Sequence, residues 1–123
     1  MPGIKSFEEI EAWKKAEELT TIIYQITMEG NFARDFGLRD QIRRASVSIM
    51  SNIAEGFERG GDKELKRFLS IAKGSAGEVK AQLYVARNVG FISQEQFDRL
   101  YSLTTEIGKQ IGGFINYLKR SIS

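Results

Sequence analysis

The sequence predicts an all-α protein in which a single domain, residues 1–123, forms an antiparallel up-down-up-down four-helix bundle. The only proline is Pro2, so no later segment is kept from forming a helix by a missing backbone N–H. Apolar residues recur at the 3.6-residue spacing of a helix in four long segments. Connectors of roughly 3 to 8 residues separate these segments, and connectors this short join antiparallel neighbours.

The first predicted helix begins near Phe7 and ends at the Gly-Asn pair that starts at Gly30. Ser6 and Glu9 have the separation of a capping box, in which both side chains accept hydrogen bonds from free backbone N–H groups. Glycine ends a helix because it takes the left-handed conformation at little cost. Residues 31–37 are predicted to form a short connector. The predicted apolar face comprises Phe7, Ile10, Trp13, Ala16, Leu19, Ile23 and Ile26.

The second predicted helix runs from about Leu38 to Arg59, and Gly60 and Gly61 end it. Asp62 is the predicted N-cap of the third helix, because an aspartate carboxylate accepts hydrogen bonds from the first backbone N–H groups. The predicted buried stripe of the second helix comprises Leu38, Ile42, Ala45, Ile49, Ile53 and Phe57.

The third predicted helix spans about Lys63 to Asn88 and has two glycines, Gly74 and Gly77, in its interior. An interior glycine costs roughly 1 kcal/mol relative to alanine. We interpret the pair as part of a small-residue stripe that permits close approach of another helix, and simple tolerance of glycine is the alternative. The stripe comprises Ser70, Gly74, Gly77 and Ala81.

The fourth predicted helix opens with a second capping box, formed by Ser93 and Gln96, after Gly90 has ended the third. Its interior also contains glycines, which indicate tight packing or fraying. The apolar face comprises Phe97, Leu100, Leu103, Thr104, Ile107, Ile111, Phe114, Ile115 and Leu118.

The composition excludes several kinds of functional site. The chain has no cysteine and no histidine, which removes the usual zinc ligands, thiol catalysis and the commonest general base near neutral pH. Phosphate-loop, dinucleotide and nucleophile-elbow motifs are also missing from the sequence. We therefore expect no enzymatic activity, no cofactor and no metal. Because no segment has the length and apolarity of a signal peptide or a membrane span, we expect a cytoplasmic protein without a membrane partner.

Four polar residues of the second helix share one face because they are spaced by 4, 4 and 3 residues. They are Arg44, Ser48, Asn52 and Glu55. A partly buried arginine beside a carboxyl group can form an active site, with Glu55 as a general acid or base. The favoured interpretation is a structural polar cluster that fixes the register of the helices or of two subunits.

Basic residues concentrate in the middle of the chain, where residues 34–80 carry ten lysines and arginines against seven acidic residues. Lys66, Lys73 and Lys80 of the third helix recur every seven residues and so lie along one stripe, with Lys63 at its start. A basic stripe can neutralise the phosphates of a nucleic acid, and an ordinary solvated helix face is the alternative. The predicted phosphate contacts are Arg39, Arg43, Lys63, Lys66, Arg67, Lys73 and Lys80.

The blocks that resemble a known family are, in chain order, FEEIEAWKKAEEL, FGLRDQIRRASVSIMSNIAEGFERG and KRFLSIAKGSAGEVKAQLYVARNVGFI. They resemble four-helix-bundle proteins encoded by intervening sequences inside bacterial 23S ribosomal RNA genes, over nearly the whole chain. The resemblance implies a ring-shaped homo-oligomer, a pentamer, without enzymatic activity. The chain is also similar to the accessory variability proteins of diversity-generating retroelements, which implies binding to nucleic acid and to a reverse transcriptase.

Two functional hypotheses follow. The leading one is a homo-oligomeric, non-catalytic protein that associates with nucleic acid, RNA in particular, through the basic residues of the second and third helices. The competing one is a protein scaffold or assembly factor without direct nucleic-acid contact, whose lysines only maintain solubility. The expected partners are other copies of the chain together with RNA or a nucleic-acid-processing protein.

Overall fold

The fold is a helical bundle, seen in a computed structural model that describes residues 3–122 and the side chains of residues 3–120. The prediction of an all-α bundle is confirmed, and residues 3–122 contain no strand. Four long helices build the bundle, and a fifth, short helix lies between the first two of them. The elements are a 3-10 helix at Phe7–Glu9, α1 at Glu11–Ile26, α2 at Gly30–Arg34, α3 at Phe36–Glu58, α4 at Asp62–Asn88 and α5 at Gln94–Ile122.

Each long helix packs against two others: α3 lies between α1 and α4, and α5 lies between α4 and α1. The order of contacts shows the relative direction of α3 and α4. Ser48 bonds to Ser75 near the middle of the pair, whereas Gly56 meets Phe68 nearer the connection. Numbers rise on one helix as they fall on the other, so α3 and α4 run antiparallel.

The core lies along the bundle axis and is almost entirely aliphatic, with the predicted helical spacing on every long helix. Its burial supplies the main stabilisation, at about 25 cal/mol for each Å² of apolar surface removed from water. The fully buried large side chains are Leu19, Ile23, Phe32, Ile42, Ile49, Ile53, Leu69, Leu83, Leu100, Ile107, Ile111 and Leu118.

The start of the first helix differs from its prediction. Phe7–Glu9 form a 3-10 turn, Ile10 is extended, and α1 begins only at Glu11. The predicted capping box is wrong, because the Ser6 side chain accepts no backbone N–H and Glu9 instead accepts the Lys5 N–H at 3.1 Å. The bond from the Lys5 N–H therefore competes with the predicted capping box, and α1 begins about one turn after its predicted start.

The end of the first helix also differs. Helix α1 ends at Ile26, before Gly30, and the hydroxyl of the buried Thr27 donates to the Ile23 carbonyl at 2.7 Å. The predicted 31–37 connector contains α2 instead, since burial of Phe32 holds this single turn on the bundle. Asp35 then caps α3 by accepting a hydrogen bond from the backbone of Leu38, so α3 starts two residues before its predicted start.

The remaining helix ends lie close to their predictions. Gly61, rather than Asp62, is the N-cap of α4, so the predicted cap is wrong by one residue. At α5 the capping box is confirmed: Ser93 Oγ accepts the Gln96 N–H at 3.0 Å, and Gln96 Oε1 accepts the Ser93 N–H at 2.8 Å. Gly90 has a φ of +82°, the left-handed conformation expected after α4.

The small-residue stripe of α4 does not approach another helix of this chain, which corrects the interpretation of Gly74 and Gly77. A Cβ at either position would have no described neighbour within 4 Å. The close approach occurs instead at Gly56 of α3, where a Cβ would lie 2.7 Å from the Cβ of Phe68. A role of Gly74 in contacts between subunits stays a prediction.

Candidate nucleic-acid interface

The polar residues predicted on α3 separate into a connected pair and two outlying charges. Ser48 Oγ lies 2.8 Å from Ser75 Oγ of α4, and Asn52 donates to both the carbonyl and the hydroxyl of Ser48. Ser75 is 5% exposed, so this network links α3 to α4 through polar atoms largely removed from water. Sequence spacing could not find Ser75, because its partner is fixed only by the register of the two helices.

Arg44 and Glu55 do not join that network. The Glu55 carboxylate accepts a hydrogen bond from Arg59 at 2.9 Å, with both side chains about half exposed. Arg44 is exposed and lines a shallow pocket between α3 and α4 together with Glu78 and Gln82. The four predicted residues therefore do not form one site, and Glu55 lies on the surface with a cationic partner.

The predicted phosphate contacts on α3 are already engaged within the protein. Arg43 donates from Nε to the buried Thr27 hydroxyl at 2.7 Å, and its guanidinium lies 4.5 Å from the ring centroid of Tyr24. Arg39 bonds to Asp40 at 2.9 Å and to the Ala33 carbonyl at 3.1 Å. These two arginines join α3 to α1 and α2, so a phosphate would have to compete with these contacts.

The start of α4 forms a separate basic region at the opposite end of α3 from Arg39. The guanidinium groups of Arg59 and Arg67 lie 4.8 Å and 4.5 Å from the ring centroid of Phe68. Arg67 also pairs with Glu64 at 3.1 Å, whereas Lys63 is exposed. The predicted phosphate contacts are therefore spread along α4 and do not cluster with those of α3.

A groove of about 390 Å³ lies between α4 and α5, and three lysines line it. Lys73 and Lys80, seven residues apart, come from α4, and Lys109 comes from α5. Lys80 Nζ lies 4.8 Å from the ring centroid of Tyr101, so this lysine extends across the groove towards α5. We call this feature the basic groove. Its other lining residues are Ala76, Gly77, Thr104, Thr105, Gly108 and Gly112.

The basic groove lies where three glycines, which have no side chain, line the facing surfaces of α4 and α5. Gly77 and Gly108 have no described atom within 4 Å of the position that a Cβ would take, and Gly112 has only the end of Lys73 there. Sequence reasoning found Lys73 and Lys80 but missed Lys109. One clue was available: Gly108 and Gly112 are one turn apart and so share a face of α5.

No carboxylate belongs to the lining of the basic groove among the residues that the structure describes. Glu106, near Lys109 in sequence, turns to α1 and pairs with Lys15 at 3.1 Å. This pair raises the pKa of Lys15, first through the hydrogen bond to Glu106 and then through its charge. Glu78 of α4 lines the pocket towards α3. The three lysines consequently share a surface of one charge sign.

An aromatic cluster adjoins the basic groove at Lys80. Phe97 and Tyr101 stack at a centroid distance of 5.3 Å, and Tyr84 contacts these rings at 5.0 Å and 5.6 Å. Tyr84 is 42% exposed, and Arg87 lies over its ring at 5.0 Å. The pKa of Tyr84 is raised, first by a hydrogen bond with the phenol of Tyr101 and then by the charge of that phenol.

Comparison with known proteins identifies the family. The model of the 23S rRNA-intervening sequence protein family matches residues 8–113. The chain belongs to this family. A crystal structure of a protein of unknown function from the S23 ribosomal protein family of Bacteroides thetaiotaomicron has the same fold, with a TM-score of 0.79 and 25% sequence identity. The similarity covers 85% of this chain and 95% of that one. No curated protein matches the sequence.

The matched segment of this 23S rRNA-intervening sequence protein family member includes the whole basic groove and the aromatic cluster. None of the helices in residues 3–122 is long and apolar enough to cross a membrane. The sequence has no histidine, and the described residues contain no group of three or more acidic side chains placed to hold a metal ion. The three lysines that line the basic groove give it a chemical preference for an anion.

Proposed function

We propose that this member of the 23S rRNA-intervening sequence protein family is a homo-oligomeric, non-catalytic protein that binds RNA through basic residues, in the cytoplasm. The observation that carries the proposal is the basic groove, where Lys73, Lys80 and Lys109 meet without a carboxylate among the described lining residues. Lysines in such a groove attract phosphates, because neutralising the phosphates releases the counterions that surround a nucleic acid.

The predicted contacts contribute unequally to this function. Lys63, Lys66, Lys73 and Lys80 present ammonium groups along α4, whereas the guanidinium groups of Arg39 and Arg43 are engaged inside the chain. We expect the α4 lysines to supply most of the phosphate contacts. The α3 arginines would then support the bundle and act on binding only indirectly.

A salt titration tests the proposal. A fluorescently labelled structured RNA is titrated with the protein between low and physiological ionic strength, and affinity is followed by anisotropy. If several phosphates are neutralised, the logarithm of the binding constant falls with the logarithm of salt concentration by about 0.7 to 0.9 per phosphate contact. The absence of salt-sensitive binding at low ionic strength would contradict the proposal.

Two double variants that lower the net charge by the same amount test whether the position of the lysines matters. Lys73→Gln with Lys80→Gln removes two positive charges from the basic groove. Lys5→Gln with Lys14→Gln removes two exposed positive charges near the start of the chain. We expect the first pair to weaken binding and to reduce the salt slope by about 1.4 to 1.8. Equal weakening by both pairs would assign the attraction to net charge and contradict a role of the groove.

Self-association has its own support, from an apolar face of α4. Ile71, Val85 and Val89 are 43%, 47% and 57% exposed, and helical spacing places them on one side with Gly74. Glu78 and Gln82 lie between Ile71 and Val85 on this side, so a partner surface would have to meet apolar and polar side chains together. The resemblance implies a ring of five subunits, and we therefore expect the molecular mass measured in solution to be five times that of the chain. Gly74→Leu should lower that mass, and an unchanged assembly would contradict this role.

The same apolar face favours the second candidate, a scaffold whose partner is another protein. The two candidates differ in what the lysines do. For a scaffold, charge reversal by Lys66→Glu and Lys73→Glu leaves recovery of the protein partner intact and no RNA is recovered with it. For an RNA-binding protein, the same reversal abolishes RNA recovery while the assembly persists.

A further inference from the structure

The cations beside the basic groove form a line that continues past it. Lys73, Lys80 and Arg87 follow one another at seven-residue intervals on α4, so each step advances about 10 Å along the helix axis. Because seven residues are nearly two full turns, the three side chains stay on one face. Lys109 supplies a cation from the opposite wall. A flexible chain of phosphates could follow this line.

The walls of the basic groove limit what can enter it. Its volume of about 390 Å³ is that of a pocket for a small molecule, and its lining between the lysines consists of Ala, Gly and Thr residues. A space of this volume can admit a part of one strand but is too small to admit a duplex. Thr105, which is half-buried, adds a hydroxyl to the lining that can donate to a phosphate oxygen.

The line of cations ends at an aromatic surface that is held in place before any ligand arrives. Tyr84 packs against Phe97 and Tyr101, and Arg87 lies 5.0 Å from the ring centroid of Tyr84 and 4.5 Å from that of Phe97. Although these contacts fix its ring, Tyr84 remains 42% exposed. Because Arg87 covers one face of this ring, an unpaired base can stack on the guanidinium plane of Arg87 or on the remaining exposed surface of Tyr84.

We propose that the basic groove and the adjoining Tyr84–Arg87 surface form a binding track for a single strand of nucleic acid. Phosphates lie along Lys73, Lys80 and Lys109, and an unpaired base stacks at Tyr84. This inference rests on the proposed function and narrows its partner to unpaired segments. Stacking requires a base that is free of its complement, so the track selects single strands over duplexes.

The test compares a labelled single-stranded RNA 12-mer with the same RNA annealed to its complement, by anisotropy at low salt. We expect the single strand to bind at least about tenfold more tightly, since stacking on an aromatic side chain contributes about 1–3 kcal/mol per base. A single-stranded DNA 12-mer of the same sequence, with its own duplex, shows whether the strand that binds is RNA or DNA. Binding of either strand in preference to its duplex supports the track.

A pair of tyrosine variants tests the stacking surface. Tyr84→Leu keeps apolar bulk but removes the ring, and we expect it to raise the Kd for the single strand by about 5- to 150-fold. Tyr24→Leu is the matched control, because Tyr24 is 39% exposed and lies under Arg43 on another side of the bundle. The control should keep the Kd within about twofold. Circular dichroism and thermal melting check that both variants fold.

Three outcomes separate this inference from the function on which it rests. Equal or tighter binding of the duplex, with no effect of Tyr84→Leu, overturns the single-strand track and leaves RNA binding by the lysines intact. Competition by inorganic polyphosphate that matches competition by the unlabelled 12-mer also overturns it, because no base is then read. Failure of single-stranded, duplex and structured RNA alike to bind at low salt overturns the proposed function itself.

Discussion

Helix α4 packs closely on α3 but leaves a groove against α5, although small residues lie on both sides. Towards α3, a Cβ on Gly56 would lie 2.7 Å from the Cβ of Phe68 and 3.3 Å from the Cα of Leu65. Towards α5, Gly77 and Gly108 have nothing within 4 Å of the same position among the described atoms. An interior glycine can therefore mark either a close helix contact or a gap, and the partner helix decides which.

Polar groups follow the same division. Between α3 and α4, the Ser48 and Ser75 hydroxyls bond to each other and Asn52 completes the network. Between α4 and α5, lysines line the basic groove without a carboxylate among its described residues. Satisfied polar groups stabilise a contact, whereas unpaired ammonium groups of one sign favour an anionic ligand. The first region stabilises the bundle, and the second is the proposed binding surface.

The largest expected effect is on the close contact. Gly56→Ala forces a Cβ against Phe68 and the Leu65 backbone, which cannot move as the end of a flexible side chain could. We expect the free energy of unfolding to fall by about 1–3 kcal/mol. Urea unfolding at fixed protein concentration measures it. Gly113→Ala is the control, because that position is open, and it should gain up to about 1 kcal/mol. Equal stability of both variants would remove the distinction between the two regions.

The next effect concerns the hydroxyl network of the same contact. Ser75→Ala removes a bond to Ser48 and a bond to the Ile71 carbonyl, and we expect a loss of about 1 kcal/mol in the free energy of unfolding. A double-mutant cycle with Ser48→Ala isolates the link between α3 and α4. Because the two hydroxyls are direct partners, the double variant should lose less than the sum of the single variants. Simple additivity would show that the network does not couple the helices.

In the basic groove, a glycine-to-alanine substitution should raise the free energy of unfolding, whereas at Gly56 it should lower it. Gly77→Ala adds a methyl group where no described atom lies within 4 Å, so stability should rise by up to about 1 kcal/mol. The methyl group also narrows the basic groove, so affinity for a single-stranded RNA 12-mer should fall. Gly113→Ala, outside the groove lining, should gain similar stability and keep its affinity. A stable Gly77→Ala variant with unchanged affinity would argue against the groove as the binding site.

The sequence predicts the four long helices because the 3.6-residue apolar pattern extends over many turns and identifies a helix even when its end residues are misplaced. It misplaces the start of α1, where the Lys5 N–H takes the Glu9 carboxylate that the capping box required. It also misses α2, a single turn held by burial of Phe32 against the ring of Phe91 at 5.2 Å. Burial of that kind depends on a residue almost sixty positions away, which local spacing does not contain.

The candidate site was predictable in part for a related reason. Lys73 and Lys80 share a face because both lie on one helix, and the heptad spacing fixes that relation. Lys109 joins them only through the register of α5 on α4. Spacing along α3 left Arg43 available for phosphate, because its partner Thr27 lies just after the end of α1. Relations within one helix are therefore readable from spacing, whereas relations between helices require the packed bundle.

The smallest expected effect lies on the side of α5 that faces α1, where Lys15 pairs with Glu106 at 3.1 Å. Because the fold raises the Lys15 pKa above its ordinary 10.5, this contribution to stability is complete below 10.5 and is lost as pH rises through the folded-state pKa. Lys15→Gln should lower the melting temperature slightly at pH 7, since exposed pairs stabilise weakly. That difference should shrink above pH 10.5. A difference that stays constant with pH would mean that Lys15 contributes by packing its side chain, with no contribution from its ion pair with Glu106 of α5.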